Sequence, residues 1–222
     1  MNPSYQRCIL QWDEIYAAEA SDRVPRSHDS GNAVFNEGIR WLCEKSESVL
    51  DFGCGNGSVL FFCALHGAKT HIGIDLSQAA INIAQKRSER MQEGVFDFRL
   101  GGVEQLETLA SGSQDAVVLS NILDNLYPSD AEKALFECAR ILKAGGKALV
   151  KLNDYVTEQQ IIDWKIKVIE GRLLDDGLLL WNNTDGQWRA LLECFFSVER
   201  YETVYYPEHE QKNRLFLLRK VE

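Results

Sequence analysis

The apolar and polar positions of this chain change their spacing repeatedly, and the changes predict strands that alternate with helices. Short apolar runs, typical of buried strands, are separated by segments whose apolar residues recur every three or four positions, as on one face of a helix. Two of the strand-like runs begin at Val49 and Asp115. The others span residues 70–74, 95–100, 147–152, 197–206 and 213–221. The helical spacing covers residues 5–20, 33–44, 77–91, 128–142, 157–170 and 184–192, and begins again at 58. The pattern therefore indicates an α/β fold.

One stretch organises the rest of the chain. It runs from Val49 to Ser77, VLDFGCGNGSVLFFCALHGAKTHIGIDLS, and predicts a strand, a glycine turn, a helix from Ser58 and a second strand that ends in Asp75. Glycines without Cβ let a ligand approach the main chain, and the first N–H groups of the following helix point at it. Asp75 ends its strand where a ribose over the turn would present its hydroxyls. The arrangement predicts a nucleotide pocket, and an α/β turn without a ligand is the alternative.

The spacing of the glycines distinguishes between two cofactors that share this geometry. A dinucleotide fingerprint, G-x-G-x-x-G, would place its third glycine at Ser58. Here the order is G-x-G-x-G, and Asp51 stands two residues before the first glycine, where an acid can help to bind an ammonium group. VLDFGCGNG followed by GIDLS resembles motifs I and II of the class I S-adenosylmethionine-dependent methyltransferases. ILKAGGKALVKLND resembles the L-K-P-G-G turn of that family, with Ala144 in place of proline.

This resemblance implies a fold, a cofactor and a set of site residues. The implied fold is a Rossmann-like sheet of seven strands, mostly parallel with the last strand antiparallel, flanked by helices. The implied cofactor is S-adenosylmethionine, its product S-adenosylhomocysteine, and the acceptor a small molecule. WDEIY resembles the lead helix of small-molecule members, in which a tyrosine reaches the cofactor's carboxylate; a place in the core is the alternative for Tyr16. The cofactor residues are then Tyr16, Asp51, Gly53, Cys54, Gly55, Gly57, Asp75, Leu76, Gly102, Val103, Glu104 and Asn121.

The chain departs from the family after the third strand. Gly102 stands where an aspartate that binds the adenine amine is common. Adenine recognition would therefore depend on main-chain groups of Gly102 and Val103, or on the Glu104 carboxylate. A solvated acid with no role in binding is an equally good interpretation of Glu104.

Candidates for catalysis are few. Methyl transfer from a sulfonium mainly requires positioning of the nucleophile, so a dedicated base is optional. Asn121, Ile122 and Asp124 follow the fourth strand, where open α/β folds gather functional residues. For an acceptor that must lose a proton, the candidate bases are Asp124, Asp154 and His28, each of which could instead be a solvated residue. The string S-N-I-L also lacks the N-P-P-Y pattern of methyltransferases that modify base amines.

The chain is expected to form a single domain over residues 1–222. Within it, residues 1–47 would supply N-terminal helices and a loop, 48–152 the cofactor-binding core, and 185–222 a helix and strand pair. Residues 155–184 would add a helix and a hairpin, since Asp176-Gly177 between apolar runs is a hairpin signal. Emerging from the substrate edge of the sheet, this segment would form a lid with the loop 21–32. Its apolar residues could instead complete the core or a dimer contact.

Composition narrows the class of partner. The net charge of −9, from 33 acids against 24 bases, disfavours nucleic acid and favours a neutral or cationic acceptor. The 6 cysteines form no C-x-x-C pair and predict a reduced, cytoplasmic protein without a zinc site, although carboxylates alone could bind magnesium. No signal peptide or membrane span is evident, so we expect no association with membranes. The expected assembly is a monomer or a homodimer.

Two other classes of function stay open on this sequence. A nicotinamide-dependent oxidoreductase would use the same turn and Asp75, but it would also need the third glycine and a Tyr-x-x-x-Lys or similar pair, which the sequence lacks. A non-catalytic S-adenosylmethionine-binding module is consistent with the altered position Gly102. Neither the acceptor nor the atom that is methylated follows from the sequence.

Overall fold

The computed structural model describes residues 5–18 and 22–221, which contain one large and one small sheet. The strands are β1 (Ser48–Phe52), β2 (Thr70–Asp75), β3 (Val95–Leu100), β4 (Gln114–Ser120), β5 (Leu142–Asn153), β6 (Lys167–Glu170), β7 (Leu173–Asp176), β8 (Leu178–Trp181), β9 (Phe196–Tyr206) and β10 (Gln211–Lys220). The large sheet has seven strands in the order β3-β2-β1-β4-β5-β10-β9, and the small one has the order β6-β7-β8.

The large sheet is parallel except at one strand. β10 runs antiparallel to both β5 and β9, and every other neighbouring pair is parallel. The prediction of a mostly parallel seven-stranded sheet with an antiparallel last strand is therefore confirmed. The chain adds strands outward from β1 to β3 and then returns to the other side of β1 with β4. Ligands of open α/β sheets bind where the order reverses in this way, at the carboxyl ends of the strands.

Helices cover both faces of this sheet. They are α1 (Gln6–Ala18), α2 (Ala33–Cys43), α3 (Ser58–Leu65), α4 (Gln78–Ser88), α5 (Val103–Glu107), α6 (Pro128–Ile141), α7 (Glu158–Asp163) and α8 (Asp185–Leu192). Polar side chains cap several of them: Ser77 caps α4, and Thr184 forms a capping box with Gln187 at α8. In the described part of the chain, no helix is both long and apolar enough to cross a membrane.

Two hydrophobic cores lie on opposite faces of the sheet. Leu50 belongs to one core and its neighbour Val49 to the other, as the alternation of side chains along a strand requires. The Leu50 side is covered by α5, α6 and α8, with Trp188 fully buried at its centre. The Val49 side is covered by α2, α3 and α4, including Ile39 and Phe61. Each buried strand is therefore apolar on both faces, which explains the continuous apolar runs in the sequence.

The segment after β5 differs from the expected helix and hairpin. The helix predicted over 157–170 ends at Asp163, and Lys165 takes a left-handed φ of 55°. The following residues 167–170 form β6, which pairs antiparallel with β7 and so extends the β7–β8 hairpin to three strands. The helix prediction was wrong here because, in so short a segment, the spacing of apolar residues fits both the period of a helix and that of a strand. Pairing with β7 favours the strand, and Val168 and Ile169 are β-branched residues that suit it.

Smaller differences occur elsewhere. Helix α5 begins at Val103, in a segment for which the sequence predicted adenine contacts but no helix. β5 begins five residues before the predicted start at Lys147, with an irregular register against β4. The predicted end of the first helix, Ala20, and the first residue of the predicted loop, Ser21, lie outside the described residues.

Candidate functional site

A cavity of about 410 Å³ lies at the carboxyl ends of β1, β2 and β4, between the sheet and α1. Its volume is in the range of small-molecule sites. The walls come from α1 and the residue before it, from the ends of β1 and β2, from the segments after β3 and β4, and from the start of α6. These lining residues are Tyr5, Cys8, Ile9, Trp12, Tyr16, Phe52, Gly53, Ile74–Ser77, Gly101–Glu104, Ser120–Ile122, Asn125, Leu126, Ser129, Asp130 and Lys133.

The glycine turn after β1 is tightly held. The N–H groups of Gly53 and Cys54 both donate to the carbonyl of Ile74, at 2.8 and 3.1 Å, so the turn lies against the end of β2. Gly55 has a φ of 51°, and a Cβ there would collide with the hydroxyl oxygen of Tyr16. A side chain larger than hydrogen is thus excluded both by backbone conformation and by space.

Asp75 connects β2 to this turn and faces the cavity. Its two carboxylate oxygens accept hydrogen bonds from the N–H groups of Gly55, at 2.8 Å, and Ser77, at 2.9 Å. Burial raises the pKa of Asp75, and the hydrogen bonds from backbone N–H groups oppose that shift. A carboxylate oxygen can accept more than one hydrogen bond, so capacity remains on the cavity side.

Asp51 lies behind the turn and outside the cavity wall. It is 1% exposed, and its Oδ1 atom has no hydrogen-bond partner among the described residues. Burial and the negative charge of Asp75 raise the pKa of Asp51 to about 8, whereas the positive charge of Lys151 opposes the rise. A buried carboxylate without a full set of partners is costly to the fold and is a common mark of a binding site.

Asn121 has an uncommon backbone conformation at the end of β4. Its φ is 54°, a left-handed value that asparagine tolerates better than most residues. Its amide donates to Asn153 at 3.2 Å, while its Oδ1 is buried without a partner among the described residues. Strained residues of this kind gather at ligand sites.

The segment after β3 forms the other end of the cavity. Gly102, Val103 and Glu104 all line it. The Glu104 side chain folds back and accepts a hydrogen bond from the N–H of Gly102 at 2.8 Å. Glu104 is therefore engaged with the main chain, and a ligand that used the Gly102 N–H would have to displace it.

The structure brings together eight of the predicted cofactor residues at the cavity wall. These are Tyr16, Gly53, Asp75, Leu76, Gly102, Val103, Glu104 and Asn121. The other four lie behind that wall: Asp51 in β1, and Cys54, Gly55 and Gly57 in the turn that follows it. Cys54 is buried, and Gly57 provides the left-handed residue from which α3 begins. The assignment of these residues to a cofactor stays a prediction.

The three candidate bases lie away from this wall. Asp124 is fully buried and accepts a hydrogen bond from the N–H of Asn153 at 2.7 Å. Asp154 is exposed and accepts from the N–H of Tyr155. The His28 ring nitrogen lies 2.9 Å from the carbonyl of Leu65, at the far end of α3. None of the three lines the cavity, so any role in proton transfer would need a rearrangement; the roles stay predictions.

Two groups of residues at the site were missed from the sequence. The first is the inner face of α1, where Trp12 lines the cavity beside Tyr16 and the two rings stack at 5.9 Å. The regular apolar spacing of α1 is visible in the sequence, but it does not distinguish residues that line a cavity from residues that pack in a core. The second is Lys151 in β5, a lysine within an apolar run, and that placement was the available signal.

Comparison with known proteins identifies the core of the chain. Residues 50–150 match a family model described as "Methyltransferase domain". Over this stretch the chain is similar to the methyltransferase domain family. The resemblance that VLDFGCGNG and GIDLS indicated is thus confirmed, and the matched region contains β1 to β4 and nearly all of β5.

The relatives of this methyltransferase domain share its core rather than its whole length. A ubiquinone biosynthesis O-methyltransferase from Acinetobacter baylyi is 28% identical over 113 residues, which are 49% of this chain and 46% of that protein. The chain spans about half the length of the curated relatives it matches.

Solved structures extend the fold comparison to the whole chain. The 1,6-didemethyltoxoflavin-N1-methyltransferase from Burkholderia thailandensis, with bound S-adenosylhomocysteine, has a TM-score of 0.68 at 18% identity and covers 100% of this chain and 92% of its own. The [4+2]-cyclase SpnF has the same TM-score, 0.68, at 17% identity, over 96% of this chain and 94% of its own. The methyltransferase domain therefore has a fold that occurs with more than one chemistry.

Proposed function

We propose that this protein transfers a methyl group from S-adenosylmethionine to a small-molecule acceptor. The observation that carries the proposal is the position of Asp75, whose carboxylate faces the cavity while it holds the glycine turn in place. The family match over residues 50–150 supports the same conclusion. The names of the relatives, an O-methyltransferase and an N-methyltransferase, point to this class of reaction without indicating which atom is methylated here.

The residues present fit the proposed cofactor. Asp51 has a buried oxygen without a partner, as expected for an acid that receives an ammonium group from a ligand. Gly53 and Gly55 lie where a Cβ would collide with Ile122 and Tyr16, so only glycine fits at these two positions of the turn. We infer that Asp75 binds the ribose, that Asp51 and Tyr16 bind the amino-acid end, and that Gly102 to Glu104 border the adenine.

The chain's own groups would then position the reactants and exclude water. When bound, S-adenosylmethionine supplies a methyl group on a sulfonium. An acceptor atom can attack this methyl carbon directly, and the carbon–sulfur bond breaks to release S-adenosylhomocysteine. Trp12 and Ile122 give the cavity apolar walls, and Asn121 presents a buried amide oxygen at its edge. These groups would orient an acceptor and exclude water from the reacting atoms.

The acceptor is small under this proposal because the cavity is small. A volume of about 410 Å³ must also take the cofactor, so it leaves room for no more than a small acceptor and none for a folded substrate. Asp75, Glu104 and Asp130 line it against one basic residue, Lys133, among the described lining residues. This balance supports a neutral or cationic acceptor and disfavours nucleic acid.

The cover of the cavity is α1 rather than the segment 155–184. None of the residues in that segment lines the cavity, and Leu173, Leu179 and Trp181 pack into the hydrophobic core. The described part of the loop, 22–32, also lines none of it. The segment contacts α1 from outside, where Arg7 forms an ion pair with Asp175 at 2.5 Å. We infer that this segment supports α1, which covers the cavity.

Further proposals concern location and assembly. All 6 cysteines are unpaired thiols, which supports a reducing compartment such as the cytoplasm. No group of His, Cys, Asp and Glu side chains that could hold a metal occurs in the part of the chain that the structure describes. Exposed apolar residues on the 155–184 segment, including Trp164 at 59%, are compatible with a homodimer as well as a monomer.

The proposal is tested by ligand binding and then by turnover. Thermal unfolding is measured with S-adenosylmethionine, S-adenosylhomocysteine or NAD, since a ligand of the native state raises the melting temperature. We expect a rise with the first two and none with NAD, and an effect of NAD alone would overturn the proposal. Formation of S-adenosylhomocysteine with a panel of phenols and amines then separates a methyltransferase from a non-catalytic binding module, which would bind the cofactor without turnover.

A further inference from the structure

Asp13 lies on α1 between two residues of the cavity wall. Trp12 and Tyr16 line the cavity from this helix, whereas the Asp13 side chain contacts the start of α4. Its Oδ1 atom accepts hydrogen bonds from the Ser77 hydroxyl at 2.5 Å and from the Ala79 N–H at 3.0 Å. Asp13 therefore joins the helix that covers the cavity to the helix that follows Asp75.

The two partners of Asp13 are the first polar groups of α4. Ser77 is the N-cap of this helix, and the Ala79 N–H belongs to its first turn, where main-chain donors have no partner within the helix. A carboxylate at this position is also stabilised by the positive end of the helix dipole. Hydrogen bonds to a charged group contribute more than neutral ones, so this contact should hold α1 more firmly than a neutral pair would.

Ser77 connects this contact to the cofactor site. The residue is 1% exposed and lines the cavity. Its N–H donates to Oδ1 of Asp75 at 2.9 Å, while its hydroxyl donates to Asp13. One residue thus binds both the acid that we assign to the ribose and the acid on the covering helix. A displacement of α1 would therefore remove a hydrogen bond from the residue that helps to orient Asp75.

The second acid at this position has a cost. Burial is the largest cause of the raised pKa of Asp75, and the negative charge of Asp13 adds to the rise. The Ser77 hydroxyl already caps α4, because it accepts from the Ala80 N–H at 3.0 Å. The cap therefore does not account for a second carboxylate so near to Asp75, whereas the attachment of α1 does.

Two other polar attachments of α1 lie at its opposite end. Tyr5 precedes the helix, and Arg7 in its first turn forms an ion pair with the small sheet. Asp13 acts closer to the glycine turn, where a Cβ at Gly55 would meet the Tyr16 hydroxyl. Asp13 therefore fixes the part of α1 that lies over this turn.

We propose that Asp13 is a positioning residue of the cofactor site: its carboxylate attaches α1 to the start of α4 beside Asp75, so that a bound cofactor is released only after this contact breaks. The inference rests on the proposed function, because it treats the cavity under α1 as the S-adenosylmethionine site. Asp13 is not one of the described lining residues and acts through Ser77 and through the position of α1.

The same helix offers a matched control. Glu14 follows Asp13 directly, is exposed, and carries the same charge. Glu14→Ala therefore removes one acid from α1, as Asp13→Ala does, without changing the contact with α4. Asp13→Leu keeps a side chain of similar size without an acceptor. Asp13→Asn keeps an oxygen that can accept the same two hydrogen bonds and so separates the hydrogen bonds from the charge.

The first measurement follows α1 in the protein without ligand. Fluorotryptophan is incorporated, and the Trp12 resonance is assigned by NMR from its loss in Trp12→Phe. We expect Asp13→Ala and Asp13→Leu to shift or broaden the Trp12 resonance, while Trp41, which packs against the Val49 side of the sheet, keeps its own. Glu14→Ala should leave both resonances in place. An unchanged Trp12 resonance in a folded Asp13→Ala or Asp13→Leu protein would overturn the proposal.

The second measurement is the release of S-adenosylhomocysteine in stopped-flow experiments. We expect Asp13→Ala and Asp13→Leu to raise the rate constant of release by about tenfold or more, as the loss of a hydrogen bond to a charged group requires. The association rate constant should change less, because the ligand enters when α1 is open. Asp13→Asn should recover most of the slow release, and Glu14→Ala should match the wild type. An equal effect in Glu14→Ala would contradict the proposal.

A merely structural role and a failure of the proposed function are both recognised separately. A structural role alone would lower the free energy of unfolding in urea and leave the rate constant of release unchanged, which would also contradict the proposal. If S-adenosylhomocysteine binds neither the wild type nor any variant, the proposed function fails. The Trp12 resonance needs no ligand, so it still decides whether Asp13 holds α1 in place.

Discussion

The Asp75 carboxylate accepts a hydrogen bond from the main-chain N–H of Gly55 at 2.8 Å, which joins the end of β2 to the turn after β1. The two residues are 20 positions apart, and the same carboxylate faces the cavity. One side chain therefore fixes the shape of the turn and offers acceptors to a ligand. The two tasks can be separated by substitution.

Replacing Asp75 should weaken the cofactor more than the fold. Asp75→Asn keeps an oxygen that can accept from Gly55 but loses the negative charge, so S-adenosylhomocysteine should bind more weakly by about 1.5–3 kcal/mol, the range for hydrogen bonds to a charged group. Asp75→Ala should add a loss of stability because the Gly55 N–H loses its partner. Calorimetry and urea unfolding measure the two effects, with the exposed Asp176→Asn as control. Unchanged affinity in both variants would place the ribose elsewhere.

Gly55→Ala tests the space at the glycine turn. The new Cβ would meet the Tyr16 hydroxyl and hold a non-glycine residue at a φ of 51°. Gly112 has a similar φ of 64° with no atom within 4 Å of a Cβ, so Gly112→Ala reports the conformational cost alone, about 1–2 kcal/mol. We expect a larger loss of stability in Gly55→Ala, partly relieved by the added change Tyr16→Phe. Equal losses of stability in the two alanine variants would show that the Tyr16 side chain moves away from the new Cβ without a loss of stability.

The stability of the protein should depend on pH through Asp51. Its folded-state pKa of about 8 lies above the ordinary value of 3.8, so the protonated form is favoured by folding. This contribution is fully present below about pH 4 and is lost as the pH rises through about 8.

Asp51→Asn should remove that dependence. The variant should gain stability relative to the wild type as the pH rises, by about 4 kcal/mol between pH 4 and pH 7, while it loses affinity for S-adenosylhomocysteine. Urea unfolding from pH 4 to 9 measures the difference, and Asp176→Asn serves as the exposed control. A difference that stays constant with pH would mean that Asp51 is ionised throughout.

Tyr5 should set the position of α1. Its hydroxyl donates to Asp130 at 2.8 Å and accepts from the N–H of Tyr127 at 2.9 Å, and its ring lines the cavity. Tyr5→Phe leaves both partners unsatisfied and should cost about 1–3 kcal/mol of stability. Because α1 covers the cavity, affinity for S-adenosylhomocysteine should fall as well. Tyr155→Phe, at an exposed tyrosine, is the control, and a stability loss without any change in affinity would mean that α1 keeps its place without Tyr5.

The sequence predicted the sheet because its signals were local. The strand runs at 70–74 and 95–100 are apolar within a few residues, and helix caps such as Ser77 and Thr184 act on their immediate neighbours. The number of strands and the antiparallel direction of the last one followed from a resemblance between motifs, not from the residues of each strand.

Features that depend on distant contacts were not predictable in this way. Residues 167–170 form a strand because they pair with β7, and a period read over so few residues does not distinguish the two structures. Glu104 folds onto the Gly102 N–H, and His28 lies beside Leu65, because of three-dimensional neighbours that no spacing encodes.

Helix α1 contains no buried residue, although it forms one wall of the cavity. It is held to the rest of the protein by Tyr5 at its start, by the Arg7–Asp175 ion pair, and by Asp13, which accepts from the Ser77 hydroxyl and the Ala79 N–H. Lifting this helix would break these contacts and separate Cys8 and Ile9 from the core on the Leu50 side, but the buried residues of the sheet and of the other helices would stay packed. Its amide hydrogens should therefore exchange with solvent through local opening, at a free energy well below that of the central strands. The protein can thus admit and release a ligand while its sheet stays folded, and exchange of α1 amides alone should slow when the cavity is filled.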